Sequence, residues 1–416
     1  MPYLPEAKIE ALKVLPGAPA LLDAVADTPG VYLVGGAVRD LMLGFVQFDF
    51  DLVVEGDAHA LADQLAATIG GDVVKHDRFL TATFRSDDGE LNVDIATART
   101  ETYERPGALP DVEPSDLQND LRRRDFTVNA MALAIWRERL GELLTYPDAE
   151  ADFAARMLRI THDQSFIDDP TRLLRLLRYG ARLGFTAEPH TEDVARAAVE
   201  AGAPATVSGP RIRDELLDLL GERSAVVAID SMYALGLDRA LHEKLDADEY
   251  LASRALIDLP EGVRQDLLLL AVCSRAMDAD TLAGWLEHLQ LQQRHAAVVR
   301  AAVLEHQGLA ARCAEAQSAS ELADLLRTQK PETIVFAAAL PSTDPALAAQ
   351  MRAWISEGEG SQLEISGADL RAAGIGEGPQ IGRALAATRS ASIDGRISGR
   401  DEQLRFALES ARRSDR

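Results

Sequence analysis

Two carboxylates, Asp49 and Asp51, stand at the head of the apolar run Leu52-Val-Val54. Side chains alternate faces along a strand, so these two flank Phe50 and point the same way. A carboxylate pair on one face suits magnesium (Mg2+), which takes few protein oxygens and leaves its other positions to water and phosphate. Upstream, Gly35-Gly36-Ala37-Val38-Arg39-Asp40 follows a second apolar run, Val31-Tyr-Leu-Val34. The turn at Gly35 and Gly36 admits a close backbone approach, and the helix N-terminus behind it offers N–H groups to phosphate oxygens. Either fragment alone is common. The combination, with Arg39 and Asp40 between, points to a site that handles a nucleoside triphosphate together with a metal.

Three further segments carry chemistry. Leu91-Asn-Val-Asp94-Ile-Ala-Thr97 offers a third strand carboxylate. Asp94 is either an edge aspartate beside a turn or the completion of an acidic triad that helps accept the proton of an attacking hydroxyl. Asp120-Leu-Arg-Arg-Arg-Asp-Phe-Thr-Val-Asn129 packs three arginines before an acid. It reads as a solvated turn, or as a site where Arg124 binds triphosphate bidentately, with Asp125 and Asn129 positioning the ribose or supporting the loop. In Ile167-Asp-Asp-Pro-Thr-Arg172, Pro170 suits a first helical turn and makes Asp169 an N-cap. Arg172, Arg175, Arg178 and Arg182 recur at spacings of three, three and four. They therefore share one helix face, an arginine ridge suited to phosphate.

These residues need a scaffold. Strands are expected at 71–75, 80–85 and 91–97, with a hairpin turn at Asp87-Asp88-Gly89 and a helix over 57–69 capped by Asp57. Residues 1–30 read as one helix and a loop, 103–119 as a long loop, and 125–136 as helical at its apolar end. From about residue 150 onward the pattern is almost exclusively helical, with a further turn region from Ser356 to Gly360. The 416 residues suffice for two or more domains. No membrane span or signal peptide is expected. Cys273 and Cys313 lack metal-binding spacing and read as core thiols of a reducing compartment, hence a cytoplasmic location. The net charge of −24 argues against generic nucleic-acid binding and directs attention to the local arginine clusters.

Taken together, the segments resemble the class II tRNA nucleotidyltransferases, the CCA-adding enzymes, and the related bacterial poly(A) polymerases. Four motifs occur in family order: VGGAVRDLMLG with DFD, DLRRRDFTVNAMAL, DDPTRLLRLLRYGARLGF, and Gly209-Pro-Arg211-Ile-Arg-Asp-Glu215-Leu. They cover residues 30–220, and the likeness weakens beyond. Asp168 stands where the family usually has Glu. The resemblance implies an α+β fold, in which a small head with a mixed β-sheet precedes an elongated all-α neck, body and tail. The implied domains are a nucleotidyltransferase head at 1–149, a neck with base recognition at 150–220, a body at 221–355 and an RNA-binding tail at 356–416.

It also implies that Asp49 and Asp51 bind Mg2+ and that Gly36, Arg39, Arg124, Arg175 and Arg178 contact the nucleotide. Asp169 and Arg172 would act as an amino-acid template for the base. Cytosine and adenine present an exocyclic amine beside a ring-nitrogen acceptor. A carboxylate and an arginine three residues apart can read that edge. The implied activity is addition of CCA to the 3′ end of tRNA from CTP and ATP. Residues 75–84 resemble the tRNA branch of the family, and a loop of ordinary length at 103–119 disfavours CC-only addition. The main alternative is an A-adding specialist; polyadenylation and a non-catalytic RNA-binding relative rank below it. No histidine lies in a phosphohydrolase-like His-Asp dyad.

Overall fold

The computed structural model describes residues 3–45, 49–357 and 363–413. The chain divides into two compact units, Met1–Glu215 with Leu235–Leu241, and Leu216–Ala234 with His242–Arg416.

The first unit is built on a seven-stranded mixed sheet. Its strands are β1 (Val31–Val34), β2 (Phe50–Val54), β3 (Gly71–His76), β4 (Thr81–Ser86) and β5 (Asn92–Thr97), followed after a hairpin of β6 (Arg99–Thr102) and β7 (Asp111–Pro114) by β8 (Met131–Ala134) and β9 (Leu143–Thr145). The spatial order is β3-β4-β5-β2-β1-β8-β9, and β6 pairs β7 in a separate two-stranded sheet. Only β2 and β5 run parallel in the large sheet, in a register that sets Asp51 opposite Asp94. Its helices include α1 (Glu6–Lys13), α2 (Ala18–Val25), α3 (Gly36–Leu43), α4 (Ala58–Ile69) and α5 (Leu117–Arg122), then α6 (Ala149–Ala155), α7 (Ser165–Asp168), α8 (Thr171–Leu183), α9 (Pro189–Glu200) and the part of α10 (Gly209–Gly221) up to Glu215. As expected, Asp57 caps α4, accepting from the N–H groups of His59 and Ala60.

Both faces of the sheet's centre are covered. Val31, Leu33, Phe50, Leu52, Val93 and Ile95 pack with α1 to α4 on one side. Tyr32, Val34, Val53, Ala132 and Ala134 pack with Leu117 and Leu121 of α5 on the other. This two-sided burial explains the first correction to the sequence reading. The segment Met131–Ala134 is not a helix end but a fully buried strand beside β1. A strand buried on both faces loses its alternation and becomes a continuous apolar run, which periodicity cannot tell from helix. The second correction concerns 103–119, whose later part forms β7 and the start of α5. Pro114 ends β7, at the outer position of a two-stranded ribbon, where a missing N–H costs little. The third is that residues 1–30 hold two helices, α1 and α2, not one.

Among its described residues, the regular elements of the second unit are all helices. Its helices Gln265–Cys273 and Pro331–Ala339 are buried on nearly all sides, as expected where apolar residues encircle a helix. Cys273 and Cys313 are buried and unbridged. Residues between Ile365 and Ala411 form a small core of their own. Of the turn region expected from Ser356 to Gly360, Ser356 lies in the helix Pro345–Glu357; Gly358, Glu359 and Gly360 lie outside the described residues. Among the described residues, no helix is long and apolar enough to cross a membrane.

Candidate active site

A cavity of about 1150 Å³ in the first unit gathers the residues singled out from the sequence, Asp94 excepted. Gly35, Gly36, Arg39, Asp49, Asp51, Arg124, Asp169, Arg172, Arg175 and Arg178 all line it. The turn between β1 and α3 needs glycine at Gly35 for two reasons. Its φ is +65°, and a Cβ there would sit 2.8 Å from the Arg124 guanidinium. The close approach of Arg124 is therefore built into the turn.

The carboxylates sit on the face of the sheet that carries Val53 and Ala98, opposite to Phe50 and Leu52. Asp94 does not line the cavity, but it pairs in register with Asp51 on the neighbouring strand and so shares its face. Its Oδ1 accepts the Thr83 hydroxyl at 2.6 Å. Burial pushes the Asp51 carboxyl up to about 6; the Arg124 guanidinium opposes this, while Asp94 and Asp49 reinforce it.

The arginines are held from behind by oxygen partners. Arg39 donates from Nε to Asp40 Oδ1 at 2.8 Å and from Nη1 to Asn129 Oδ1 at 2.5 Å. The other Asp40 oxygen accepts Arg182 at 3.2 Å. The Asn129 amide donates to Asp125 Oδ1 at 3.0 Å, and Asp125 Oδ2 accepts Arg175 through Nε at 2.9 Å and Nη2 at 2.7 Å. Arg175 then donates to Glu215 Oε1, and Arg178 pairs with Glu215 Oε2, both at 3.1 Å. The result is one continuous network from Arg182 on α8, through α3 and the buried Asn129, back to α8 and on to α10. Burial would raise the Asp125 carboxyl, but the Arg175 guanidinium and the Asn129 amide outweigh it and hold it at about 2. Asp125 and Asn129 are themselves buried, so they support the arginines from behind. Arg124 is fixed by Asp120 Oδ2 at 2.8 Å, while Arg123 takes Asp120 Oδ1.

Asp169 and Arg172 are held differently. The first residue of α8 is Thr171, with Pro170 in the cap position. Asp169 lies one residue before the expected cap geometry, yet its Oδ1 still accepts the Thr171 N–H at 3.1 Å and hydroxyl at 2.6 Å. The same oxygen accepts Arg211 at 2.7 Å. Arg172 donates to Ser165 Oγ at 2.6 Å and to the Arg123 carbonyl at 2.7 Å.

Several lining residues had no role assigned from the sequence. Glu101 accepts Arg99, Arg123 and the Tyr103 hydroxyl; Arg99 and Tyr103 flank it at two residues' distance, whereas Arg123 reaches it only from the end of α5. Arg211 and Glu215 lay inside a recognised motif without an assigned site role. The first-turn Arg211 also donates to the Gly107 carbonyl at 3.1 Å, tying the 103–110 segment to Asp169.

Comparison with known proteins agrees with this architecture. The pattern describing the poly(A) polymerase head domain matches residues 31–159. The chain is 33% identical over 395 residues to an A-adding tRNA nucleotidyltransferase of Geobacter sulfurreducens, covering 91% of this chain but 45% of that protein. It thus spans about half or less of the length of the A-adding relatives first matched. It is 32% identical to a CC-adding tRNA nucleotidyltransferase of Deinococcus radiodurans, over 89% of this chain and 87% of that one. The structure of the Thermotoga maritima CCA-adding enzyme complexed with tRNA superposes with a TM-score of 0.78 at 29% identity, over 99% of both chains. With most of both chains aligned to the Deinococcus radiodurans protein and 99% of both to the Thermotoga maritima structure, and with the glycine turn, carboxylates and arginines assembled in one cavity, the chain belongs to the tRNA nucleotidyltransferase family.

Proposed function

We propose that this chain adds CCA to the 3′ end of tRNA, taking CTP and ATP in turn and releasing pyrophosphate. The observation that carries the reading is the convergence, in one cavity, of paired carboxylates, an arginine cluster and a base-reading pair. The 3′ hydroxyl of the RNA attacks the α-phosphate in line; the new P–O bond forms as the bond to pyrophosphate breaks. The arginine network receives the negative charge of the triphosphate and fixes its position, which supplies much of the rate enhancement in phosphoryl chemistry. The Asp94 carboxylate, on the same face as Asp51, is assigned to accept the hydroxyl proton.

The residues present fit magnesium. Asp49 and Asp51 are hard oxygen donors that line the cavity, while no three acid, histidine or cysteine side chains among the described residues converge to enclose an ion, so water and phosphate would complete its coordination; Asp51 is disfavoured as an anion where it stands, a cost that a divalent cation would remove. Asp49 and Asp51 would hold the ion. When bound, it supplies charge neutralisation at the phosphates and lowers the pKa of the attacking hydroxyl.

Base choice follows from Asp169 and Arg172. All side-chain hydrogen bonds of Asp169 among the described residues fall on Oδ1, so Oδ2 is the oxygen offered to an exocyclic amine. Arg172 keeps guanidinium protons for the adjacent ring nitrogen. Uracil and guanine present a carbonyl in place of the amine and leave these groups unpaired, at about 1–3 kcal/mol each. A second reading, an A-adding specialist, is favoured by the likeness to the Geobacter sulfurreducens protein. The two are separated by incubating the protein, magnesium and labelled CTP and ATP with tRNA transcripts ending at the discriminator base, at C and at CC. Ordered addition of three nucleotides to the shortest transcript, then arrest, establishes complete CCA addition. Extension of the CC-ended transcript alone establishes the specialist. Failure to extend any transcript refutes both.

A further inference from the structure

We propose that Tyr179 is a positioning residue for the triphosphate: its ring gathers the guanidinium groups of Arg39, Arg175 and Arg178 into one receiving surface. The guanidinium carbons of these three arginines lie 5.1, 5.4 and 5.4 Å from the centroid of the Tyr179 ring, within the range of cation–π attraction. They come from two elements. Arg175 stands one helical turn before Tyr179 on α8 and Arg178 directly precedes it, whereas Arg39 reaches in from α3. The ring is therefore the group that these cations share across the α3–α8 junction. It is 9% exposed and lines the cavity. Its own orientation is fixed by Phe126, which is fully buried and meets it edge to face at 6.1 Å and 84°.

The carboxylate partners described above grip the arginines at their N–H edges. Such contacts set the distance between guanidinium and acid but leave each plane some freedom to tilt. Three like charges gathered this closely also repel one another. The negative face of an aromatic ring offsets part of that repulsion and opposes the tilt, without using up N–H donors that phosphate oxygens need. A carboxylate in the same place would neutralise the cations outright, and an aliphatic side chain would leave their repulsion unopposed.

This inference rests on the reading of the arginines as nucleotide ligands, and the test separates the two. Binding of inorganic tripolyphosphate and of ATP to the full chain is measured by calorimetry for the wild type, Tyr179→Leu, Tyr179→Phe, and proteins carrying phenylalanines of increasing ring fluorination at the same position. Fluorine withdraws charge from the ring face with little change of shape. Loss of the ring in Y179L is expected to weaken tripolyphosphate binding about tenfold, Y179F to recover most of that loss, and affinity to fall stepwise with each added fluorine. Unchanged binding in Y179L, or a flat fluorination series beside a weakened Y179L, overturns the proposal and makes the ring a space-filler. The fluorinated series keeps the test decisive if Y179L does not fold. A wild type that binds neither tripolyphosphate nor ATP overturns both readings. One that binds them with the fluorine dependence, yet extends no tRNA, refutes the proposed function alone.

Discussion

Asp125 is the residue through which the arginine network is most sharply tested. It is nearly buried, with a side chain 7% exposed, and both Arg175 bonds fall on its Oδ2. Its Oδ1 serves the Asn129 amide and the Phe126 N–H. Asp125→Asn keeps the second set, because the new amide oxygen can accept them. It then turns an NH2 group against the Arg175 guanidinium, donor facing donor. The loss is thus an ion pair replaced by an unpaired buried donor. Removing one partner of a buried pair costs about 3–5 kcal/mol. Arg175 is 31% exposed, which lowers the expectation to about 2–3 kcal/mol. An independent route gives a similar figure. The Asp125 carboxyl is held at about 2 against an ordinary 3.8, which corresponds to about 2 kcal/mol of stability at neutral pH. Because the folded-state value is depressed, this contribution is present above the ordinary value and is lost as pH falls through about 2. The wild type's advantage over D125N should therefore hold from neutral pH down to about 4 and shrink below that. The assay is urea unfolding in a background where Trp285 and Trp354 are Phe, so that Trp136 reports on the first unit. A double-mutant cycle with Arg175→Gln should show a coupling of about 2 kcal/mol. Additivity of D125N and R175Q, or a D125N deficit that persists unchanged below pH 3, would refute the reasoning.

Three further outcomes are expected. Asp49→Ala should abolish nucleotide incorporation while tRNA binding, measured by filter retention, stays within a few-fold; surviving incorporation would remove Asp49 from the metal site. Gly35→Ala combines a strained φ of +65° with a Cβ 2.8 Å from Arg124. It should cost about 1–2 kcal/mol in unfolding and raise the KM for nucleotides, whereas an unchanged melting temperature would show that the turn relaxes. Arg211→Ala removes a donor from Asp169 Oδ1 and from the Gly107 carbonyl. Misincorporation of UTP and GTP relative to CTP and ATP should rise about tenfold; equal loss of kcat/KM for all four nucleotides would mean that Arg211 supports the fold and not base choice.

The sequence was informative where chemistry is local. The glycine turn, the Asp49 and Asp51 spacing, the Asp57 cap and the arginine periodicity of α8 depend on backbone conformation over a few residues, and each was legible from residue type and spacing alone. The family motifs added the order in which they occur. Other features were decided only by tertiary contact. Met131–Ala134 reads as helix until neighbours bury both of its faces, because two-sided burial erases the period-two signal. The 103–119 segment reads as a loop until β7 finds β6, since a ribbon of few apolar residues is held by pairing that no local pattern announces. For Asp94 the sequence leaves an edge aspartate and a triad member both open, and only the parallel pairing sets it opposite Asp51. The same holds within the site. The sequence showed which arginines share a helix face, but not that Asp40, Asp125 and Glu215, from three separate segments, meet them from behind. Nor did it show that one tyrosine ring lies against three of them. Spacing along a chain fixes which side chains point together; which partners face them is settled only when distant elements pack.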